Sequence, residues 1–209
     1  MDQHTKPHFE SAALLTIDMQ RDLLDGEPFC IPGTSAVLPA LQRVATGFRN
    51  AGRPVVHLVR LYDPGSEDID RCRRADVASG AGMLRPGSDG SQLAPGLAPP
   101  DMVLDTASLL AGRPQDVAPR EWILYKPRWG AFYRTTLHDL LSAHEVTTTV
   151  VAGCNFPNCP RTTIYEASER DFRVVMVSDA VSGFSPTEAD ELTAIGVALM
   201  TADGVVAAL

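Results

Sequence analysis

Short apolar runs with no polar face alternate along this chain with stretches whose apolar residues recur at helical spacing. Ala12 to Asp18, Pro54 to Arg60, Trp122 to Tyr125, Thr147 to Gly153, Arg173 to Ser178 and Val197 to Met200 read as strands. Between them, Ser35 to Asn50, Thr135 to His144, about Pro160 to Asp171 and about Thr187 to Ile195 read as helices, and Thr201 is placed to cap a short terminal one. A strand that is apolar on both faces must be covered on both faces. The pattern therefore predicts an α/β fold, a three-layer αβα sandwich around a mostly parallel, Rossmann-like sheet with right-handed crossovers. Residues 61–119 lack a clean period and are rich in Gly and Pro. So long a stretch without structure is unexpected in a compact domain, so it is read as an ordered insertion with short elements of its own, shaping the rim of one domain spanning residues 1–209.

Composition narrows the function. The chain has 209 residues, 18 basic and 26 acidic side chains and a net charge of −8. That balance argues against a nucleic-acid partner, which needs clustered Lys and Arg. No apolar run approaches the roughly 18–20 residues needed to cross a bilayer, and the polar N-terminus lacks the basic-then-apolar order of a secretory signal. A cytoplasmic protein with no membrane partner is expected. Four cysteines, Cys30, Cys72, Cys154 and Cys159, should then be thiols rather than disulfides.

In a parallel α/β sheet the site lies beyond the carboxyl ends of the strands. The residues at those ends are Asp18, Arg60, Lys126, the segment 153–159 and Asp179. Cys159 stands just before Pro160 and a helical pattern, which places it at a helix N-cap, where the dipole and free N–H groups favour a thiolate and can hold an oxyanion. Taken singly, each residue also has a plain reading: Cys159 as a buried thiol, Asp18 as a turn cap, Lys126 as a surface lysine.

Four segments together resemble the isochorismatase-like cysteine hydrolases, a family that includes nicotinamidases and carbamoylsarcosine amidohydrolases. They are Leu15-Thr16-Ile17-Asp18-Met19-Gln20, Lys126 to Phe132, the loop from Gly153 to Cys159, and Val177-Ser178-Asp179-Ala180-Val181. The resemblance implies a six-stranded parallel sheet and a triad of Asp18, Lys126 and Cys159. It also implies a cis peptide at Cys154–Asn155 and an oxyanion hole made by the backbone N–H groups of Asn155 and Cys159. The implied activity is hydrolysis of an amide, lactam or carbamoyl C–N bond through a Cys159 thioester, with Asp18 as general acid and base and Lys126 as electrostatic support. The implied assembly is a dimer or tetramer. Two alternatives remain: a non-catalytic binding protein on this fold, and ether hydrolysis of the isochorismate type, which in this family does not use the cysteine as nucleophile.

The loop Cys154-Asn155-Phe156-Pro157-Asn158-Cys159 departs from the usual pattern, so specificity is not transferable. Trp129, Phe132 and Phe156 are expected as pocket walls, with Gln20, Arg60, Tyr62 and Arg161 as polar substrate contacts. No cofactor is expected. No metal is expected either, because the five histidines show no ligand spacing and the segment after the second strand, Arg60 to Gly65, has none. His57 reads as a satisfied strand residue, and Cys154 as a buried structural one. A dinucleotide site is excluded by the lack of G-x-G-x-x-G after the first strand.

Overall fold

The computed structural model describes residues 2–209. Seven strands form one sheet: β1 (Ala12–Ile17), β2 (Val55–Val59), β3 (Gln115–Ala118), β4 (Glu121–Tyr125), β5 (Thr148–Gly153), β6 (Arg173–Val181) and β7 (Ala198–Met200). Their order is β3-β4-β2-β1-β5-β6-β7. Six strands are parallel, as expected; β3 is an additional edge strand, antiparallel to β4. It turns into β4 at Arg120, which has a positive φ of 62°. Periodicity missed β3 because only alternate residues are half-buried and the strand is four residues long.

The helices are α1 (Thr34–Asn50), α2 (Arg74–Ala78), α3 (Thr106–Leu110), α4 (Leu137–Ala143), α5 (Cys159–Ser168), α6 (Pro186–Ala194) and α7 (Ala202–Ala208). Side chains that alternate along the central strands divide the core into two layers. Leu14, Val150, Ala152 and Val175 pack with Leu41, Val44 and Phe48 of α1 and Val205 of α7. Leu15, Ile17, Val151 and Met176 pack with Leu137 and Leu141 of α4, Ile164 and Ala167 of α5 and Leu192 of α6. Both faces of β1 and β5 are therefore buried along their whole length. Thr201 caps α7, accepting from the Gly204 N–H.

The 61–119 segment is ordered, carrying a 3-10 turn (Arg71–Arg73), α2, α3 and β3. Its Leu93, Leu104 and Leu109 pack on Val59 and Ile123 and form a third cluster against the β2/β4 side of the sheet.

A buried polar chain crosses the sheet beneath that side. Thr16 Oγ1 meets His57 Nδ1 at 2.7 Å, and His57 Nε2 meets Glu121 Oε1 at 2.8 Å. Arg49 of α1 then grips the Glu121 carboxylate with Nε at 2.9 Å and Nη2 at 2.6 Å. This satisfies both ring nitrogens of His57, as expected of a strand histidine.

Candidate active site

The chain runs outward from β1 through β2 to β4 on one side of the sheet, then restarts at β5 and runs to β6 and β7 on the other. The reversal lies between β1 and β5, and a crevice opens at the carboxyl ends of strands flanking such a point. Asp18, Arg60, Lys126 and the 153–159 loop leave the ends of β1, β2, β4 and β5, which are adjacent in the sheet. The strand-end reading thus brings four distant sequence segments to one place.

Asp18 follows β1 with a positive φ of 51°. Its N–H donates to Leu58 O at 2.9 Å, which fixes the turn that sends its carboxyl group off the sheet. Lys126 is fully buried, and its Nζ donates to Asp18 Oδ2 at 2.9 Å and to Arg128 O at 3.2 Å. The other Asp18 oxygen, Oδ1, is buried with no hydrogen-bond partner, and the Asp18 carboxylate acts on the Cys159 thiol.

Cys159 is also buried. It is the first residue of α5, with Pro160 following, and Asn158 rather than Cys159 occupies the N-cap. The N-cap expectation was one residue off. Burial and the Asp18 carboxylate push the Cys159 thiol pKa up to about 12, against the pull of Lys126 and Arg60. Burial and the neighbouring carboxylate both favour the protonated thiol, while the two cations favour the thiolate.

The nucleophile loop is pinned from both sides. Gly153 has φ +127°, and a Cβ there would sit 2.2 Å from Ile17 O, so β5 approaches β1 more closely than any side chain allows. The Cys154–Asn155 peptide is cis. Cys154 N–H donates to Ile17 O, and Phe156 N–H to Ser182 O at 2.7 Å. Arg161 and Thr162 donate to Phe156 O and Asn158 O, while the N–H groups of Asn155 and Cys159 donate to no protein acceptor among the described residues. Cys154 itself is buried in the α1-side core as a free thiol.

Several residues expected as substrate contacts have protein partners in this structure. Gln20 is fully buried, and its amide brackets the backbone: Nε2 donates to Arg60 O and Ser91 O, and Oε1 accepts from Arg60 N–H. It holds the β2 exit in place and has no group left for a substrate. Phe132 lies in the α4/α5-side core, stacked on Phe172 at 5.8 Å. Phe156 is fully buried against Phe184. Arg161 is a partly exposed ion-pair partner of Glu191. Asp179 caps α7, accepting from Ala202 N–H at 2.7 Å, instead of joining the rim. Trp129 is 41% exposed on the loop after Lys126. Arg60 and Tyr62 are buried near Asp18 and Cys159.

Three supporting residues escaped the sequence reading. Thr163 Oγ1 accepts from Ala131 N–H at 3.2 Å and donates to Cys159 O at 2.8 Å. Glu166 accepts from Phe132 N–H at 2.9 Å. Both lie on the Cys159 helix at positions i+4 and i+7, so helical spacing from the nucleophile would have found them. They tie the lysine loop to the cysteine helix. Asp70, which pairs with Arg60, lies in the aperiodic segment and carried no such signal. Among the described residues, no group of three or more His, Cys, Asp or Glu is arranged to hold a metal ion. Among the described residues, no helix is long and apolar enough to cross a membrane.

The family model described as Isochorismatase domain matches residues 12–203. A maleamate amidohydrolase of Pseudomonas putida is 32% identical, the match covering 81% of this chain and 71% of the relative. A protein of Arabidopsis thaliana named as a probable inactive nicotinamidase is 30% identical over 85% of this chain and 84% of its own. The crystal structure of an isochorismatase family protein from Desulfovibrio vulgaris superposes with a TM-score of 0.79 at 29% identity, covering 92% of this chain and 95% of that one. The chain belongs to the isochorismatase family.

Proposed function

We propose that this protein hydrolyses a C–N bond of a small-molecule amide, lactam or carbamoyl compound through a thioester on Cys159. The observation that carries the reading is the Asp18 carboxylate, held by the buried Lys126 ammonium on one oxygen, with the other oxygen buried and unpartnered at the strand ends where the Cys159 loop also emerges. Amidohydrolase relatives support the bond class.

Burial and the Asp18 carboxylate favour the protonated thiol, and in this scheme deprotonation accompanies attack. Asp18 takes the thiol proton as Cys159 Sγ bonds to the carbonyl carbon. The negative charge that forms on oxygen meets the free N–H groups of Asn155 and Cys159, each donor typically contributing ~10²–10³-fold. The tetrahedral adduct collapses, the C–N bond breaks, and Asp18 passes its proton to the departing nitrogen. A water molecule then loses a proton to Asp18 as it attacks the thioester, and the sulfur leaves with that proton restored. Lys126 keeps the carboxylate oriented and compensates its charge through the cycle.

The test is ammonia release over a panel of small amides, lactams and ureido acids, with the Cys159→Ala protein as blank. Turnover that disappears in the blank supports the scheme, and full turnover in Cys159→Ala overturns it. The rival is a binding protein on the same fold, and one relative is named a probable inactive nicotinamidase. Silence across the panel together with tight binding of a panel member favours that rival.

A further inference from the structure

Arg60 presents an imbalance that the triad does not use. It is buried to 3% exposure where the chain leaves β2, next to Asp18 at the end of β1. One nitrogen, Nη2, pairs with Asp70. The Nε and Nη1 donors are buried and have no protein partner. Tyr62 covers the guanidinium from one side, its ring centroid 5.1 Å away, and turns its hydroxyl to Asp70 at 3.5 Å. Backbone bonds to Gln20 lock Arg60 itself in place, with Arg60 N–H on Oε1 at 2.8 Å and Arg60 O on Nε2 at 2.9 Å.

Such an arrangement needs an explanation. A guanidinium does not shed its proton, so burial cannot neutralise it. Buried donors left without acceptors are costly and rare in native folds. Burial works against the charge here, yet Tyr62, Asp18, Asp70 and Cys159 hold it above the ordinary guanidinium range. β2 lies between β1 and β4, so Arg60 leaves the sheet between Asp18 and Lys126, whose side chains pair with each other. Its free donors therefore stand at the same strand ends as the triad. An acceptor that enters and leaves with each turnover satisfies them without a permanent partner. A carboxylate fits best, because it offers two coplanar oxygens to a guanidinium's fan of N–H groups.

We propose that Arg60 is the carboxylate-binding group of the pocket and that the protein selects amide or carbamoyl compounds bearing a free acid group. Asp70 and Tyr62 are positioning residues that hold the guanidinium toward Cys159. This substrate class rests on the Cys159 hydrolase reading, but the interaction itself can be measured without turnover.

Iodoacetate and iodoacetamide differ only in carboxylate against carboxamide, and both alkylate thiols. Alkylation at Cys159 is followed by peptide mass, with the exposed Cys30 and Cys72 as internal references. The ratio of iodoacetate to iodoacetamide rates should be about 10- to 100-fold higher at Cys159 than at the references, the scale of a charge-assisted contact. In Arg60→Met it should fall toward the reference ratio. Because Arg60→Met strands the buried Asp70, the Arg60→Met/Asp70→Asn pair provides a second protein with no lone carboxylate. A ratio unchanged by either protein overturns the proposal. So does an equal drop with both reagents, which would make Arg60 only a support for the thiolate. A turnover arm compares succinamate with succinamide: in Arg60→Met, kcat/KM should drop about 10- to 100-fold more for the acid than for the diamide, and an equal drop for both would overturn the carboxylate contact. Failure of hydrolysis with a retained alkylation preference would overturn the hydrolase reading and leave Arg60's role standing.

Discussion

Lys126 Nζ donates to Asp18 Oδ2 at 2.9 Å from a position with no solvent exposure, across 108 residues of sequence. An ion pair buried this deeply is more a constraint than a source of stability. Its value appears when one partner is removed, because the other is left as an uncompensated charge. Lys126→Met keeps the side-chain length and removes the charge. It should abolish turnover and lower the unfolding free energy by about 3–5 kcal/mol in urea titrations. A loss below about 1 kcal/mol would show that Asp18 does not depend on Lys126 for its charge.

Cys159→Ala removes the sulfur from the same site without stranding a charge. It should cost only about 1 kcal/mol of stability while reducing turnover by on the order of 10⁴-fold or more. The contrast between the two variants separates the nucleophile from its electrostatic support, and comparable stability losses would contradict the division of roles.

The same site makes a prediction about proton affinity. Desolvation raises the Cys159 thiol first, and the Asp18 carboxylate raises it further, against Lys126 and Arg60. Asp18→Asn removes the second cause and leaves the cations. The pH profile for alkylation of Cys159 should then move to lower pH in Asp18→Asn, although that protein cannot turn over. An unmoved profile would show that the carboxylate does not face the sulfur.

Much of this geometry was readable from the sequence because the fold rule converts strand ends into neighbours. The run Ala12 to Ile17 is apolar at every position but Thr16 and was bound to be a central strand, which made Asp18 a rim residue. Lys126 and the 153–159 loop followed by the same argument. What remained hidden depends on contacts that a one-dimensional pattern does not carry. Gln20 stands two residues beyond Asp18 and reads as a substrate contact until its backbone partners at Arg60 and Ser91 are known. Phe132 and Phe156 are aromatic residues near the nucleophile in sequence, yet packing against Phe172 and Phe184 turns them inward. The Arg60–Asp70 pair closes a ten-residue excursion with no periodicity to mark it. The thiol's proton affinity needed burial as well as helix position, and only the helix start is visible in the Cys159-Pro160 pair.

The His57–Glu121 pair predicts the acid limb of stability. Burial lowers the His57 pKa below its ordinary 6.5, against the pull of Glu121. The unfolded chain therefore takes up the histidine proton first, so this stability is present above pH 6.5 and is lost as pH falls below it. For Glu121, burial alone would raise the pKa, but hydrogen bonds from His57 and Arg49 outweigh it and bring the value to about 2. Its contribution is present above about pH 4.5 and is lost on the way down to about 2. Denaturant midpoints should thus decline in two stages on acidification. His57→Gln should lower stability overall but flatten the first stage, whose slope is at most ~1.4 kcal/mol per pH unit for one proton. A first stage that survives in His57→Gln would assign it to another group.

Gly153 offers a prediction on the backbone alone. An alanine Cβ would lie 2.2 Å from Ile17 O and 2.6 Å from Ile17 N, and the residue would have to hold φ +127°. Neither neighbour can yield, since Ile17 O accepts from Cys154 N–H and β1 is fully buried. Gly153→Ala should therefore cost about 3 kcal/mol or more, combining backbone strain with the clash. The displacement also falls between Asp18 and the nucleophile loop, so whatever protein folds should lose turnover beyond its loss of stability. Thermal unfolding and turnover per folded molecule, measured together, check both parts. A Gly153→Ala protein with the parent's melting temperature and turnover would show that β1 and β5 are not in the close contact on which the site's geometry depends.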